Sequence, residues 1–137
     1  MDFEGIKTFI KEARWGYLAT TDGERPAVRP MGAVTWIDGM FCCATGTKDS
    51  KSEDIAKHHH IEYCFANKEG KHARMFGTCE LSHKTEYKAK LIELYPFLGK
   101  FFKGPDDPEF VVLCMKPARI RFMDTDKSME YDEVAID

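Results

Sequence analysis

The sequence predicts a mainly β fold, a small antiparallel β-barrel with flanking helices. Six or seven stretches alternate apolar and polar residues or are rich in β-branched and aromatic residues, as strands are. Short turns join most of them, and helical spacing occurs in only three places: at the start of the chain, in its middle and before its last strands. Strands and helices therefore do not alternate as they do in a parallel sheet. Antiparallel strands in this number usually close into a barrel, which removes exposed sheet edges.

Length and composition fit a single domain spanning residues 1–137. Of the 137 residues 43% are hydrophobic and 31% charged, enough to bury a core without disulfides or a metal. The net charge of −3 provides no basic field that would favour nucleic acid or an acidic membrane. No apolar stretch approaches the roughly 18 residues of a membrane span, and the first residues lack the pattern of a signal peptide. We therefore expect a cytoplasmic protein without nucleic-acid or membrane partners.

The cysteine count argues against a disulfide framework, because it is odd. The five cysteines are Cys42, Cys43, Cys64, Cys79 and Cys114. None forms a Cys-x-x-Cys pair, and most lie within apolar, strand-like runs. Buried free thiols in a reducing compartment account for them better than disulfides or zinc.

Residues 3–13 are predicted to form an amphipathic helix, because apolar residues recur there at helical spacing. These residues are Ile6, Phe9, Ile10 and Ala13. Asp2 precedes them and is in position to cap the helix. A short strand over residues 15–20 follows, and Asp22-Gly23 ends it.

A long strand is predicted over residues 25–36, followed by a tight turn at 37–40 and a strand over 40–45. Alternation places one set of long-strand residues on a common face: Arg29, Met31, Ala33 and Thr35. Pro30 cannot donate a ladder hydrogen bond and Gly32 has no side chain. The backbone there is therefore either open to a flat ligand or bent at a barrel corner, and the residues favour the two equally.

The loop over residues 46–51 leads into the mid-chain helix and is a candidate anion site. Ser50, with Glu53 three residues later, has the form of a capping box and places the helix start near Ser50. A helix start offers unpaired N–H groups and the positive end of the macrodipole. The loop adds hydroxyls and lysines, and Arg29 is available from the preceding strand, so we predict a phosphate site. The alternative is an ordinary helix start that binds nothing, since the loop matches neither the Walker A nor the dinucleotide glycine motif.

Three adjacent histidines, His58, His59 and His60, end the mid-chain helix. Consecutive helical residues point about 100° apart, so the three side chains cannot share one ion, and no metal is expected. A polar helix end, where cationic side chains suit the dipole, accounts for them.

Two further strands are predicted over residues 61–65 and 72–81, with a turn at 67–70 between them. Residues of the second strand alternate in character, which predicts one face toward the core. That apolar face consists of Ala73, Met75, Gly77, Cys79 and Leu81.

A third helix is predicted from Ser82, which can cap it. Its buried residues would be Tyr87, Leu91 and Leu94, spaced at i, i+4 and i+7. Pro96 ends or kinks this helix, a further helical turn covers residues 97–103, and residues 104–108 form a loop.

The end of the chain is predicted to be β-structure. Residues 110–115 form a continuous apolar run that indicates a strand buried on both faces. Pro117 is expected to interrupt it before a strand over residues 118–123, and a last weak strand lies around residues 129–134.

Five short motifs occur in a characteristic order over nearly the whole chain. They are residues 17–23, residues 26–32 with Asp38-Gly39, residues 44–51 with the helix that follows, residues 74–81 and residues 107–112. Their order and spacing resemble those of the small FMN-binding split-barrel proteins labelled pyridoxamine 5′-phosphate oxidase-related.

The resemblance implies a six-stranded antiparallel split barrel that pairs as a homodimer, with one FMN in each of two clefts between subunits. The FMN phosphate would be held by residues of the second strand and the next helix: Arg29, Thr45, Thr47, Ser50 and Lys51, with Lys48 nearby. The isoalloxazine ring would lie against the backbone of Pro30, Met31, Gly32 and Ala33, which selects the ligand over the barrel corner. The partner subunit would contribute from the strand that carries Arg74 and Phe76, and Trp36, Phe76 or Tyr95 would roof the cleft.

The function implied is that of an FMN-dependent oxidoreductase acting on an unidentified small molecule, with the flavin carrying the redox chemistry. No catalytic acid or base is identified, since hydride exchange with a flavin needs no dedicated side chain. Pyridoxamine phosphate oxidases end in a basic segment that grips substrate, whereas residues 129–137 are acidic, so the vitamin B6 reaction is not expected. The alternative is a non-catalytic protein that stores or senses FMN, haem or another planar ligand, with His72 or His83 as a haem ligand. A nitroaromatic-reducing relative would differ from the first hypothesis only in its electron acceptor.

Overall fold

Eight strands and three α-helices make up the described part of the chain, residues 1–13 and 15–136 of the computed structural model. The helices are α1 (Phe3–Ala13), α2 (Ser50–Lys57) and α3 (Thr85–Leu94), the last followed by a 3₁₀ turn at Pro96–Lys100. The strands are β1 (Gly16–Thr21), β2 (Pro26–Met31), β3 (Val34–Ile37), β4 (Met40–Gly46), β5 (His60–Ala66), β6 (His72–Ser82), β7 (Phe110–Met123) and β8 (Asp132–Val134). No helix among the described residues is long and apolar enough to cross a membrane.

The strands form one antiparallel sheet in the order β2-β1-β5-β6-β7-β4-β3, and β8 pairs with the second half of β7. The two end strands of this order, β2 and β3, are separated along the chain by only Gly32 and Ala33. The sheet must therefore curl until its two edges approach each other, which makes a barrel that is split between them. The predicted mainly β barrel with flanking helices is confirmed, with eight strands where six or seven were predicted.

Two apolar clusters lie on opposite faces of the curled sheet. The inner cluster fills the barrel, and α1 closes it with Phe3, Ile6 and Ile10. The outer cluster lies beneath α3, where Tyr87 and Leu91 cover residues of β4 and β7. Because both faces of β7 are covered, its first six residues are all buried, as the continuous apolar run predicted.

The predicted long strand over residues 25–36 is wrong, because the chain breaks it at Gly32 and Ala33. β2 pairs with β1, whereas β3 pairs with β4 on the other edge of the sheet. The predicted common face is broken as well: Met31 belongs to the inner cluster and Ala33 to the outer one. The ring of Trp15 lies over Gly32, where a Cβ atom would come within 2.9 Å of it.

The mid-chain helix begins at Ser50, as predicted, but its N-cap is the residue before it. Asp49 is the N-cap of α2, in extended conformation, and its carboxylate accepts the backbone N–H of Lys51. Ser50 is the first helical residue, so it does not form the predicted capping box with Glu53. Asp is as good an N-cap as Ser, and only the local backbone distinguishes two adjacent candidates.

The third helix begins later than predicted. β6 continues through Ser82, whose hydroxyl accepts the N–H of Lys84, and α3 begins at Thr85. Tyr87 and Leu91 are buried as predicted, but Leu94 is half exposed because α3 ends there, before Pro96.

Pro117 does not interrupt the last long strand, contrary to the prediction. β7 runs for 14 residues through it, and the β6–β7 register shifts at Phe76 and Gly77. The shift accommodates a residue that cannot donate to the ladder. Gly77 is required opposite this point, because a Cβ atom there would lie 2.1 Å from the carbonyl oxygen of Lys116.

Replacing Gly77 with Ala should therefore destabilise the protein by about 1–3 kcal/mol, the cost of overpacking a site that cannot relax. The matched control is Gly99→Ala in the 3₁₀ turn, where a Cβ atom would have no neighbour within 4 Å. Urea unfolding of the two variants measures the difference. Equal stabilities would contradict the role assigned to the register shift.

Candidate functional site

Arg29 of β2 points to the inner side of the barrel near the start of α2. Its register partner on β1 is Leu18, which is fully buried, so Arg29 shares the inner face. The guanidinium donates to the hydroxyl of Thr20 at 2.9 Å and to the carbonyl of Leu18 at 3.2 Å. Thr20 in turn donates to the carboxylate of Asp54 on α2 at 2.7 Å. This chain of hydrogen bonds connects β2, β1 and α2 and holds the Arg29 charge in a half-buried position.

Lys51 lies in the first turn of α2 and is only 7% exposed, which is unusual for a lysine. Its ammonium nitrogen lies 2.6 Å from a carboxylate oxygen of Asp49, the N-cap residue. Asp49 therefore both caps the helix and neutralises the lysine that follows it. The position of the Lys51 charge is fixed by this pair.

Arg29 and Lys51 both lie near enough to Asp49 and to Cys43 to favour the ionised form of each. Partial burial raises the pKa of Asp49, but hydrogen bonds from Lys51 and the charges of Lys51 and Arg29 outweigh it, so the pKa lies below its usual value. Burial raises the pKa of the Cys43 thiol to about 12, while the same two cations oppose the rise. Two cationic side chains, Arg29 and Lys51, therefore lie near the inward-facing side chain of Cys43 on β4.

Thr45 lies on the inner face of β4, and we call Arg29, Lys51 and Thr45, together with the residues that hold the two cations, the cation corner. It follows Cys43 by two residues on β4 and so shares its inner face. Thr45 is buried, and its hydroxyl has no hydrogen-bond partner among the described residues. A buried hydroxyl without a partner costs about 1–3 kcal/mol, so the site suits a ligand with hydrogen-bonding oxygens. Of the predicted phosphate residues, Arg29 and Lys51 lie near Cys43, and Thr45 follows Cys43 on the same face of β4.

The other predicted phosphate residues have different surroundings. Lys48 is highly exposed, and its ammonium group pairs with the carboxylate of Glu109 at 3.2 Å. The backbone N–H of Thr47 donates to the carbonyl of Glu109. Ser50 is exposed on the first turn of α2, whereas Ser52 is buried and donates to the carbonyl of Gly46 at 2.8 Å. Ser52 therefore stabilises the loop itself.

A cavity of about 650 Å³ lies where β2 ends and β3 begins. Gly32 and Val34 line it, and so do Trp36 and Tyr95, two of the three residues predicted to roof a cleft. The Tyr95 hydroxyl donates to the carbonyl of Val34, which ties the end of α3 to β3. The buried Trp36 Nε1 has no partner among the described residues, a second unpaired polar atom in this region. The cavity thus opens beside the backbone predicted to contact a flat ring.

Arg74 and Phe76 lie on the outer face of β6, whereas its inner face carries Ala73 and Met75. The guanidinium of Arg74 makes a bidentate pair with Glu62 on β5, with N–H···O distances of 2.9 and 3.1 Å. The hydrogen bonds to Glu62, with a further one to Tyr131, raise the pKa of Arg74. Phe76 lines a separate groove of about 330 Å³ together with Thr20 and Glu62. Neither Arg74 nor Phe76 lines the cavity at Gly32.

Sequence reasoning missed three members of the corner: Thr20, Asp49 and Asp54. Thr20 could have been found from alternation, because it follows Gly16 and Leu18 on the inward face of β1. A polar residue at an inward position of a strand needs a partner. The sequence does not distinguish Asp49 from Ser50 as the N-cap of α2, because the two adjacent residues are equally good caps. Asp54 gave no signal, since a carboxylate in a short polar helix is ordinary.

The family model for pyridoxamine 5′-phosphate oxidase matches residues 3–124. The chain belongs to this family. The resemblance found in the sequence is thereby confirmed, and the fold is the family's split barrel. Among curated proteins no match is found.

Solved structures with this fold come from several bacteria. A NimC/NimA family protein from Clostridium acetobutylicum superposes with a TM-score of 0.82 at 25% identity, covering 95% of this chain and 90% of that one. General Stress Protein 26 from Bacillus anthracis gives 0.78 at 22% identity, with coverages of 95% and 96%. A pyridoxamine 5′-phosphate oxidase-related, FMN-binding protein from Nostoc punctiforme gives 0.74 at 16% identity, with coverages of 95% and 86%. The family therefore includes FMN-binding proteins.

The capping role of Asp49 predicts different effects for two substitutions. Asp49→Asn keeps an oxygen that accepts the Lys51 N–H, so the cap survives, whereas Asp49→Ala removes the cap and costs about 1 kcal/mol more. The difference in unfolding free energy between the two variants, measured in urea, tests this. Identical values would show that the cap contributes nothing.

The lowered pKa of Asp49 predicts an acid dependence of stability. Because the native pKa lies below its ordinary value of 3.8, the contribution is present above that pH and is lost as pH falls through the lowered pKa. Lys51→Met keeps the buried aliphatic stem but removes the charge, so the pKa of Asp49 should rise and the acid loss of stability should begin at higher pH. A carboxyl NMR titration measures this shift.

Asp22 serves as the internal reference in the same titration. The backbone N–H groups of Arg25 and Glu24 lower its pKa, and Lys51 has no part in this. The Lys51→Met substitution should leave Asp22 unchanged. A shift of Asp22 as large as that of Asp49 would point to a general structural change instead of a lost pair.

Proposed function

We propose that the protein is an FMN-binding oxidoreductase that holds the flavin in two clefts of a homodimer and acts on a small molecule. The observation that carries the proposal is that Arg29 and Lys51 both lie near Cys43, two residues before Thr45, whose buried hydroxyl is unpaired. Two fixed cations and a free hydroxyl fit a phosphate monoester, which has two negative charges and three oxygens. FMN would supply the redox chemistry when bound.

The distance along β2 from Arg29 to the cavity at Gly32 fits a ligand that has an anionic tail and a ring. From Arg29 to Gly32 the chain advances three residues, roughly 10 Å in extended conformation. Gly32 lines the cavity of about 650 Å³ beside two aromatic side chains, Trp36 and Tyr95. In this proposal Arg29, Lys51 and Thr45 bind the phosphate, and the backbone of Pro30 to Ala33 orients the ring.

A homodimer is supported by the apolar side chains around the cavity. Trp15 and Phe97 line it and are 62% and 47% exposed, and Leu94 beside them is 50% exposed. Exposed apolar groups gathered at one cleft indicate a surface that another protein covers. A second copy would exclude water from the ring, and Arg74 and Phe76 would approach the ligand from that copy.

The haem alternative is less well supported by the histidines. His72 has both ring nitrogens engaged, Nδ1 with the carbonyl of Gly70 at 2.8 Å and Nε2 with the hydroxyl of Tyr131 at 2.7 Å. His83 Nδ1 lies 3.4 Å from the ammonium group of Lys88. A haem ligand needs a free ring nitrogen, and His72 would lose a hydrogen bond to provide one.

Titration with FMN and with riboflavin separates the phosphate site from the ring site. Arg29→Ala and Lys51→Ala should each weaken FMN binding by about 1.5–3 kcal/mol, the scale of a charged hydrogen bond. Riboflavin has no phosphate, so its affinity should not change. Flavin fluorescence or absorbance during titration gives both constants.

The matched control is Lys57→Ala, which removes one positive charge from the exposed last turn of α2. It should leave FMN affinity unchanged. Equal FMN affinity for wild type, Arg29→Ala and Lys51→Ala would place the phosphate elsewhere, and a Soret band with no flavin binding would favour haem. Bleaching of bound FMN by NADH or NADPH distinguishes an enzyme from a storage protein, and light scattering gives the oligomeric state.

A further inference from the structure

Two cysteines lie side by side at the centre of the sheet, outside the proposed flavin site. Cys42 of β4 and Cys114 of β7 are directly opposite each other in the antiparallel register. Their sulfur atoms are 3.4 Å apart, and both residues are at most 1% exposed. They belong to the outer cluster beneath α3.

The register of this pair suits a disulfide. Directly opposite residues of antiparallel strands have Cα atoms about 4.5–5.5 Å apart. Disulfides span Cα distances of about 4.4–6.8 Å, so a bond can form with the backbone in place. Rotation about the Cα–Cβ bonds has to bring the sulfur atoms from 3.4 Å to about 2 Å.

No other two cysteines among residues 1–13 and 15–136 are register partners. Cys43 is opposite Leu113, Cys79 is opposite Met115, and Cys64 is opposite Tyr17 and Arg74. Cys43 also accepts a hydrogen bond from the hydroxyl of Tyr63 at 3.2 Å on the inner side of the barrel. The geometry therefore singles out Cys42 and Cys114.

The surroundings of Cys42 and Cys114 differ. Cys114 is 1% exposed but lines a groove of about 450 Å³, which Cys79, Met40 and Glu80 also line. The Cys42 thiol donates to the Cys114 sulfur, and this hydrogen bond lowers the pKa of Cys114 even though burial opposes it. Cys42, deeper in the cluster, has its pKa raised by the same hydrogen bond and by burial. Cys114 lines the groove and Cys42 does not, so an oxidant in the groove meets Cys114 first, and Cys42 is placed to resolve its oxidised form.

We propose that Cys42 and Cys114 form a redox-active dithiol, which hydroperoxides oxidise to a disulfide that joins β4 to β7. The Cys114 thiolate attacks one peroxide oxygen, the O–O bond breaks, and the second oxygen leaves as an alcohol or water after taking up a proton. Cys114 is then a sulfenic acid. The Cys42 sulfur attacks the Cys114 sulfur, the S–O bond breaks, and water leaves with the Cys42 proton. In total, two thiols and one hydroperoxide give one disulfide, one water and one alcohol or second water.

The disulfide would connect residues 72 positions apart in sequence. It restricts the unfolded chain strongly while it leaves the native register of β4 and β7 unchanged. The oxidised protein should therefore melt at a higher temperature than the reduced protein. Reduction with dithiothreitol should reverse the change.

The test treats the full-length wild-type protein with hydrogen peroxide and maps its cysteines by alkylation and mass spectrometry. The expected product has lost two hydrogen atoms and contains a peptide in which Cys42 is joined to Cys114. Cys42→Ala should stop the reaction at a Cys114 sulfenic acid that dimedone traps. Cys114→Ala should leave Cys42 reduced. Cys64→Ala is the control and should still form the disulfide.

The wild-type map alone decides the matter if either alanine variant fails to fold. Cys42 and Cys114 that both stay alkylatable after peroxide treatment would overturn the proposal. So would a disulfide that joins two chains through Cys64, or oxidation confined to methionine. This result is independent of flavin binding, which the riboflavin and FMN titration measures separately.

Discussion

The burial of β7 on both faces is the constraint on which the structure depends. This strand pairs with β6, β4 and β8, and its first six residues have no exposed face. A strand of that kind needs two covers, and the chain provides the barrel interior with α1 on one side and α3 with its 3₁₀ turn on the other. Each fully buried large side chain contributes about 1.5–3 kcal/mol to stability. The two clusters together therefore fix where β4 lies, and β4 fixes the loop that begins α2.

The same arrangement forces the chain to cross from one edge of the sheet to the other at Gly32 and Ala33. β2 belongs to the β1 edge and β3 to the β4 edge, so the backbone between them cannot pair on both sides. This crossing leaves the cavity beside Gly32, and it also sets Arg29 on the inner face three residues earlier. The cation corner and the cavity are thus both consequences of how the barrel is closed.

Much of the fold was predictable from alternation and turn signals, because those are local properties of the chain. The hairpin at Asp38-Gly39 is an example: both residues have positive φ, which that dipeptide favours. The strand break at Gly32 was not predictable, since it depends on which strand each half pairs with. Pro117 was misjudged for a similar reason, because its tolerance depends on Gly77 forty residues away in sequence. Long-range partners decided both cases.

The candidate site, like the fold, was predictable from the sequence only in part. Residue types and spacing predicted a phosphate site at Arg29, Thr45 and Lys51, and this stays a prediction. In the fold, Arg29 and Lys51 both lie near Asp49 and Cys43, and Thr45 lies two residues from Cys43 on the same strand. Residue types and spacing were not enough to show that Lys48 pairs with Glu109, that Arg74 pairs with Glu62, or that Thr20 connects Arg29 to Asp54. Side-chain pairs across strands leave no periodic signal in the sequence, so a charged residue near a site cannot be assigned to it from the sequence alone.

The contact between Asp49 and Lys51 has a consequence for discrimination between ligands. The corner already contains its own counter-ion, so an incoming anion has to compete with a carboxylate that is held in place by the helix cap. An anion with a single charge replaces one negative group by another and gains little. A doubly charged anion gains from both cations at once and can share Lys51 with Asp49. If phosphate binds here as proposed, this carboxylate would favour doubly charged anions over monoanions such as chloride.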